Sequence, residues 1–490
     1  MTPSKYQKRI YAVFQHTNKN MNISAVAGSG KTTTLLELLN YVPKDKNTLF
    51  LAFNNAIVDE LRNRVRRNDV KIMTIHSCGW HSILRRYGKV KMNPNKGIAK
   101  AEVVMLKNKI PLKRKGYFFY VIPKLLDLMR CNMCENDENT IIELANHYNV
   151  DIDKEDVKYV RQAFDLLCKD KKQFDFMDMI YVPVVDPTIR FDKYACVFCD
   201  ESQDFSLCQQ EFIKRCIARN GRIITVGDER QAIYGFAGAD ANSYQRLSEI
   251  NGKSIRMPLS VCYRCARNIV AEVQDIVPEI ESNPDSPSGI VRQGSLTELK
   301  YGDWVVCRNL KPLIQTYLWL LKNHIKAKIR GKDIAEGIIA MINKTGASTL
   351  SGMMAGLERQ CEALENKLRD KGVAKPQKHP KMDLFRQKFY VIETLASEVK
   401  DVEELKGLID SIFSDDVTGI ILTTIHKAKG LENERVFFLC PELIPSKFAT
   451  QPWEFEQERN LYYVAVTRAK RELVYVMNDM FLYDLMRKVY

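Results

Sequence analysis

The chain has 490 residues, 45% hydrophobic and 27% charged, and carries a formal charge of +14. That length exceeds what one hydrophobic core organises, so two to four domains are expected; no apolar run approaches the roughly 18 to 20 residues of a membrane span, and the first residues lack an apolar stretch with a cleavage site, so export is not expected. A cytoplasmic location without a membrane partner follows (nucleoid-associated or in a host-cell cytoplasm, nuclear in a eukaryote), while 74 Lys and Arg against 60 acids favour a polyanion such as nucleic acid.

In chain order, residues 22–39 and 48–65 each predict a strand, a Gly-rich or polar loop and a helix. Residues 80–186 read as a helical, basic domain inserted into the first sheet. Within it, eleven Lys or Arg between Arg85 and Lys115 face one acid, Glu102. A solvated helical face is the ordinary reading of such a run; lying between functional motifs, it favours contact with a phosphate backbone. Strands at 195–199 and 222–226 end in acids and in Gly-Asp. A second α/β pattern begins after Pro258, with strands at 304–307, 419–424, 435–440 and 473–477. It is interrupted by a mainly helical segment, 331–416, holding an amphipathic helix at 350–371 and a Lys/Pro linker at 373–383. Strands with functional residues at their carboxyl ends indicate open parallel α/β sheets. The thirteen cysteines read as reduced thiols. Cys131/Cys134, Cys196/Cys199 and Cys262/Cys265 have metal-ligand spacing, but the apolar strand around Cys196 and Cys199 favours burial.

The strongest local signal is A-V-A-G-S-G-K-T-T, from Ala25 to Thr33, between the strand N-I-S-A-V and the helix T-T-L-L-E-L-L. Ala27, Gly28, Ser29 and Gly30 let backbone N–H groups wrap phosphates at a helix N-terminus, Lys31 reaches the β/γ-phosphates, and Thr32 offers a hydroxyl to Mg²⁺. Ala25 replaces the first glycine of the usual pattern. V-F-C-D-E-S-Q-D supplies Asp200 to hold Mg²⁺ and Glu201 to polarise the attacking water. Gln231, after the next strand, suits a γ-phosphate contact relayed to Tyr234 and Phe236. Arg264 and Arg468 are candidates for positive charge against the transition state.

The ordered motifs resemble the UvrD/Rep-type DNA helicases of superfamily 1. The matching stretches are K-Y-Q, A-G-S-G-K-T, L-A-F-N-N-A, T-I-H-S-C-G-W-H, D-E-S-Q-D, V-G-D-E-R-Q-A-I-Y-G-F-A-G-A, L-S-V-C-Y-R, V-C-R-N, T-I-H-K-A-K-G-L-E and E-R-N-L-Y-Y-V-A-V-T-R-A-K. The resemblance implies ATP between two RecA-like lobes and single-stranded DNA across both. It implies that Gln7 reads the adenine edge, Tyr263 stacks on the base, Glu432 contacts the ribose, Thr33 completes the phosphate loop, and Arg264 and Arg468 are arginine fingers. Phe53, Asn54, Tyr234 and Phe236 match DNA-facing positions, where aromatics stack bases without sequence preference; core packing is the ordinary alternative for Tyr234 and Phe236. His76 and His426 match polar DNA-facing positions, although a lone histidine is as readily a satisfied structural residue.

These readings give an α/β fold of two RecA-like P-loop lobes with parallel sheets, each interrupted by a mainly helical insertion. The first lobe takes 1–79 and 187–258 with insertion 80–186, and the second 259–330 and 417–490 with insertion 331–416. The expected activity is ATP-dependent translocation on single-stranded DNA, 3′ to 5′ by resemblance, acting at single-strand/duplex junctions with duplex unwinding, in replication, repair or recombination. The second insertion is short for the family, which leaves open a translocase that displaces proteins without strong unwinding; an RNA-directed motor is the other alternative.

Overall fold

The computed structural model describes residues 2–486 apart from 66, 112–113, 241, 251, 253, 371–375 and 414–417. Lys113 of the basic run and residues 373–375 of the Lys/Pro linker lie outside the described residues. The chain divides into two compact units, Met1–Val261 and Cys262–Tyr490.

In the first unit six strands, β1 (Met21–Ala25), β2 (Thr48–Ala52), β3 (Val70–Thr74), β4 (Tyr194–Cys199), β5 (Ile217–Gly227) and β6 (Ile255–Leu259), form one sheet in the order β3-β2-β4-β5-β1-β6. Every pairing is parallel. Leu49, Leu51, Val197 and Cys199 belong to the core on one face, and Phe50, Ala52, Cys196 and Phe198 to the core on the other. Apolar residues on both sides of the pleat are what a sheet covered on both faces requires. Cys196 and Cys199 therefore point into opposite cores. No cluster of three or more His, Cys, Asp or Glu able to hold a metal occurs among the described residues.

One face is covered by α1 (Lys5–His16) and α2 (Lys31–Asn40), through Ile10, Phe14, Leu35 and Leu38. α3 (Asn55–Arg64) follows β2. The other face continues without a break into the helical segment: α4 (Ile75–Tyr87), α5 (Lys96–Lys107), α6 (Lys115–Cys131), α7 (Glu138–His147), α8 (Val157–Lys169) and α9 (Asp178–Val185). Val104 of α5, Phe118 and Leu125 of α6, and Val160 and Leu167 of α8 share one cluster with Leu49 and Val197 of the sheet. A Cβ at Gly79 of α4 would lie 1.8 Å from the Met179 carbonyl oxygen of α9, so only glycine admits that approach.

The second unit repeats the plan with β7 (Ile290–Gln293), β8 (Trp304–Cys307), β9 (Ala327–Ile329), β10 (Ile420–Thr424), β11 (Asn433–Leu439) and β12 (Ala469–Val476). They run parallel in the order β7-β12-β11-β8-β10-β9. Helices Lys332–Asn343, Leu350–Asp370, Pro380–Ala396 and Val402–Ile412 lie between β9 and β10. They join the core of that sheet through Ile338, Met353, Val391 and Leu405.

The α/β class with two parallel sheets and helical interruptions is as the sequence indicated. Four strands were not anticipated, β3, β6, β7 and β9, and these are the edges of the two sheets. Edge strands alternate with polar residues or run short, as β3 does with V-K-I-M-T, so they lack the continuous apolar run of central strands. Pro258 lies inside β6 of the first sheet, paired with Ser24 of β1. The two compact units divide at 261/262. No helix among the described residues is long and apolar enough to cross a membrane.

Candidate functional site

β1 ends at Ala25, and the chain turns through Val26 to Gly30 before α2 begins. Gly28 (φ 66°) and Gly30 (φ 81°) occupy the left-handed region that a side chain disfavours. The Ser29 hydroxyl donates to the Val26 carbonyl at 2.8 Å, and the Val26 N–H donates to the Leu259 carbonyl at 3.1 Å. Ala27 and Ser29 are buried, whereas Thr33, on the first turn of α2, is exposed. A loop fastened this way presents its amides and a helix N-terminus to an anion. Gln7 donates through Nε2 to the Thr34 hydroxyl at 3.1 Å, and its Oε1 accepts the Ser4 N–H at 2.9 Å. The side chain predicted to read adenine is therefore already tied to α1 and α2.

β5 lies between β1 and β4, so Lys31 and Thr32 reach across its end to the acids after β4. Lys31 Nζ lies 2.8 Å from Glu201 Oε1 and 2.9 Å from Oε2, and the Thr32 hydroxyl donates to Asp200 Oδ2 at 2.9 Å. The intervening strand ends in Gly227, where a Cβ would lie 2.6 Å from Ser202 Oγ and 2.7 Å from Gln203 Oε1. Asp200 is 1% exposed. Burial, reinforced by the Glu201 charge, pushes its carboxyl up to about 6. Burial alone would lower Lys31, but Glu201, then Asp228 and Asp200, outweigh it, and the ammonium is held above its ordinary range. Glu201 adopts φ 51°, a left-handed conformation uncommon for a residue with a side chain.

A second set of bonds runs away from this pair. Gln203 donates through Nε2 to Glu201 Oε2 at 2.6 Å, and its Oε1 accepts the Asp228 N–H at 3.1 Å. Asp228 Oδ2 accepts from Gln231 Nε2 at 2.6 Å. Three residues later stand Tyr234 and, beyond it, Phe236. Tyr234 stacks on Phe53 with ring centroids 6.4 Å apart and planes 17° from parallel, and Phe236 follows at 6.3 Å from Tyr234. Phe53 is 43% and Phe236 52% exposed, so this row is a surface feature rather than core. Asn54 caps α3 by accepting the Ile57 N–H at 2.9 Å. His76, half-buried in the first turn of α4, is lowered by burial.

Four members of the basic run pair with acids far along the chain, and a fifth, Lys115, with Glu102 inside the run. Arg85 pairs with Asp192 at 2.5 Å, Lys96 with Asp178 at 2.7 Å, Lys100 with Asp170 at 2.5 Å, Arg114 with Asp156 at 2.5 Å and Lys115 with Glu102 at 3.7 Å. Lys96 is only 1% exposed. Burial takes Lys96 out of any phosphate-contacting surface. Lys89, Lys91, Lys107 and Lys109 remain exposed.

In the second unit, Arg264 Nε pairs with Glu432, which also accepts Lys470 at 3.1 Å. Burial alone would raise the Glu432 carboxyl; Arg264 and Lys470 outweigh it and hold it low. Tyr263, the neighbour of Arg264, is half-buried. Arg468 is fully buried. Its Nε donates to the Val464 carbonyl and its Nη1 to the Leu431 carbonyl, each at 2.8 Å, and its Nη2 to the Thr467 hydroxyl at 3.1 Å. Burial, and next the Arg264 charge, draw its guanidinium down to about 9. His426 is lowered to about 3 by burial, with Arg308 and Lys429 adding to the effect, so it is uncharged at neutral pH.

Sequence reasoning did not single out Gln203, Asp228, Arg308 or Glu458, although each lies in a recognised block. Arg308 grips Glu458 through Nε at 3.1 Å and Nη2 at 2.8 Å, and Glu458 Oε2 accepts the Ser446 N–H at 3.0 Å. Their signal was position within a motif, and their chemistry is to hold other residues.

A family model for the UvrD/REP helicase N-terminal domain matches residues 6–250, and one for the UvrD-like helicase C-terminal domain matches residues 357–479. The F-box DNA helicase protein 1 of Schizosaccharomyces pombe is 24% identical over 96% of this chain and 57% of its own. The ATP-dependent DNA helicase Rep of Buchnera aphidicola subsp. Baizongia pistaciae is 23% identical over 46% of this chain and 36% of its own. The ATP-dependent DNA helicase PcrA of Leuconostoc citreum is 24% identical over 56% of this chain and 39% of its own. The chain thus spans less than two thirds of the length of each of these relatives. With the first family model covering half its residues, the chain belongs to the UvrD/Rep family of superfamily 1 DNA helicases.

Proposed function

We propose that this chain is an ATP-driven motor that moves 3′ to 5′ on single-stranded DNA and unwinds duplex at single-strand/duplex junctions. The observation that carries the reading is the unbroken hydrogen-bonded path from Lys31 through Glu201, Gln203 and Asp228 to Gln231, ending three residues before the exposed Phe53–Tyr234–Phe236 row. A change at the γ-phosphate position then has a short route to the strand-gripping surface. Membership of a family with ATP-dependent DNA helicases supports ATP as the fuel.

The Thr32 hydroxyl and Asp200 carboxylate are an all-oxygen pair 2.9 Å apart, the hard donors that Mg²⁺ favours. Bound there, the ion would neutralise charge on the β- and γ-phosphate oxygens. Lys31 exchanges Glu201 for a phosphate, which frees the Glu201 carboxylate to orient the attacking water and take its proton. Gln231 contacts the γ-phosphate, and Arg264 and Arg468 supply positive charge from the second unit, Arg264 by leaving Glu432. Tyr263 stacks on adenine, Gln7 reads its edge, and Glu432, once released, contacts the ribose. Phe53, Tyr234 and Phe236 stack bases, and Asn54, His76 and His426 contact the strand as neutral groups.

The test is ATP hydrolysis with and without single-stranded DNA, alongside strand separation of duplexes bearing a 3′ or a 5′ tail, for the native chain and Glu201→Gln. DNA-stimulated hydrolysis with separation from the 3′ tail only, both lost in the variant, is expected. Stimulated hydrolysis without strand separation would restrict the function to translocation, and absence of DNA stimulation would remove the motor reading.

A further inference from the structure

The loop that carries Phe236 is seated on the helical segment of the first unit, and the seat continues beyond it. Lys124 of α6 donates through Nζ to the Phe236 carbonyl at 2.8 Å. Cys131 Sγ lies 3.9 Å from the Ala237 carbonyl, and a Cβ on Gly238 (φ +94°) would meet Cys131 Cβ at 2.8 Å and Leu128 Cδ2 at 3.6 Å. Lys124, Leu128 and Cys131 are four and three residues apart, hence one stripe along α6. Tyr120 is the preceding position of that stripe, one turn toward the N-terminus, and its side chain is an exposed aromatic at 55%.

We propose that Tyr120 is a fourth aromatic station for the single strand, extending the Phe53–Tyr234–Phe236 row onto α6. The inference rests on the single-strand reading of that row. Three features support it. Tyr120 stands on the helix face that holds the Phe236 loop. Phe53, Phe236 and Tyr120 are each about half exposed, which suits a ring that takes a base on one side. Lys124, between Phe236 and Tyr120 along this stripe, places a positive charge where the strand would pass from one to the other, and aromatic rings interleaved with basic groups are the ordinary composition of a sequence-tolerant single-strand track.

The experiment measures anisotropy of dye-labelled oligothymidines of increasing length with the full native chain, Tyr120→Ala, Tyr120→Leu, Tyr120→Trp and Phe236→Ala. Losing one stacking partner should weaken binding of the longer oligomers by about tenfold in Tyr120→Ala. Oligomers too short to reach past Phe236 should bind Tyr120→Ala like the native chain. Tyr120→Trp should restore affinity and Tyr120→Leu, which keeps apolar bulk without a π-face, should not. Because Tyr120 is exposed, its variants should melt with the native chain, which thermal unfolding checks. Native affinity in Tyr120→Ala at every length, with Phe236→Ala weakened, overturns the proposal while leaving the row intact. Equal rescue by leucine also overturns it, since packing rather than stacking would then be at work. If the native chain fails to bind, or Phe236→Ala binds normally, the single-strand reading of the row falls, and this extension with it.

Discussion

In the first unit Lys31, Thr32, Asp200 and Glu201 face one another across a Gly227 gap, Lys31 bonded to Glu201 and Thr32 to Asp200. In the second unit Arg264 is paired with Glu432, and Arg468 is sunk among the Val464 and Leu431 carbonyls. The second unit thus holds one of its two arginines neutralised by a carboxylate and the other buried among carbonyls. On the proposed reading, the two arginines would have to give up existing partners before acting on a nucleotide, which would tie hydrolysis to rearrangement rather than to simple occupancy.

The largest effect that sharpens the contrast is expected at Glu201. Glu201→Gln should reduce kcat of DNA-stimulated hydrolysis by about 100- to 10,000-fold with nucleotide binding retained. A fall of only a few-fold in steady-state assays would show that Glu201 serves mainly as the resting counter-ion of Lys31.

The arginines should separate next. Arg468→Ala strands buried carbonyl oxygens and should lower unfolding free energy by about 2 to 3 kcal/mol, read by denaturant melts. Arg264→Ala breaks a partly exposed pair and should cost below about 1 kcal/mol. Both should lose hydrolysis. Equal stability losses would erase the distinction between a buried and a paired arginine.

On the DNA side, Phe236→Ala should weaken single-strand binding by about tenfold while leaving nucleotide affinity unchanged in a fluorescent-nucleotide titration. A change in nucleotide affinity instead would mean that the loop reports to the pocket at equilibrium.

The smallest effect concerns pH. The folded carboxyl of Asp200 is raised to about 6 from an ordinary 3.8, so the folded state binds the proton more tightly than the unfolded one. Its contribution to stability is present below the unfolded value and is lost as pH rises toward about 6. Asp200→Asn, without nucleotide or metal, should therefore melt higher than the native chain at neutral pH and show a flatter stability profile across that window. A lower melting temperature would indicate that the Asp200 charge is stabilised by Lys31 more than burial penalises it.

Much of this was legible without coordinates where chemistry sits on contiguous residues at the ends of buried strands. Ala25 to Thr33, and Asp200 with Glu201, each combine an apolar run with an adjacent functional group, so local pattern alone locates them. The central strands were visible for the same reason, and the edge strands β3, β6, β7 and β9 were not, because their half-polar composition carries no run. Charge was the poorest guide. The basic run between Arg85 and Lys115 looked like a phosphate surface because its acids, Asp170, Asp178 and Asp192 among them, lie far along the chain.

The sequence by itself determined the family, the two-sheet α/β plan and the identities of the phosphate-loop residues, since these depend on short-range order and side-chain chemistry. Only the tertiary structure decided that Arg468 is buried, that Gln7 is already hydrogen-bonded to its neighbours, that Arg85, Lys96, Lys100 and Arg114 pair with distant acids, and that α6 carries the Phe236 loop. Each of those facts includes at least one contact between residues tens of positions apart or more, and no local propensity encodes which distant partner a side chain will meet.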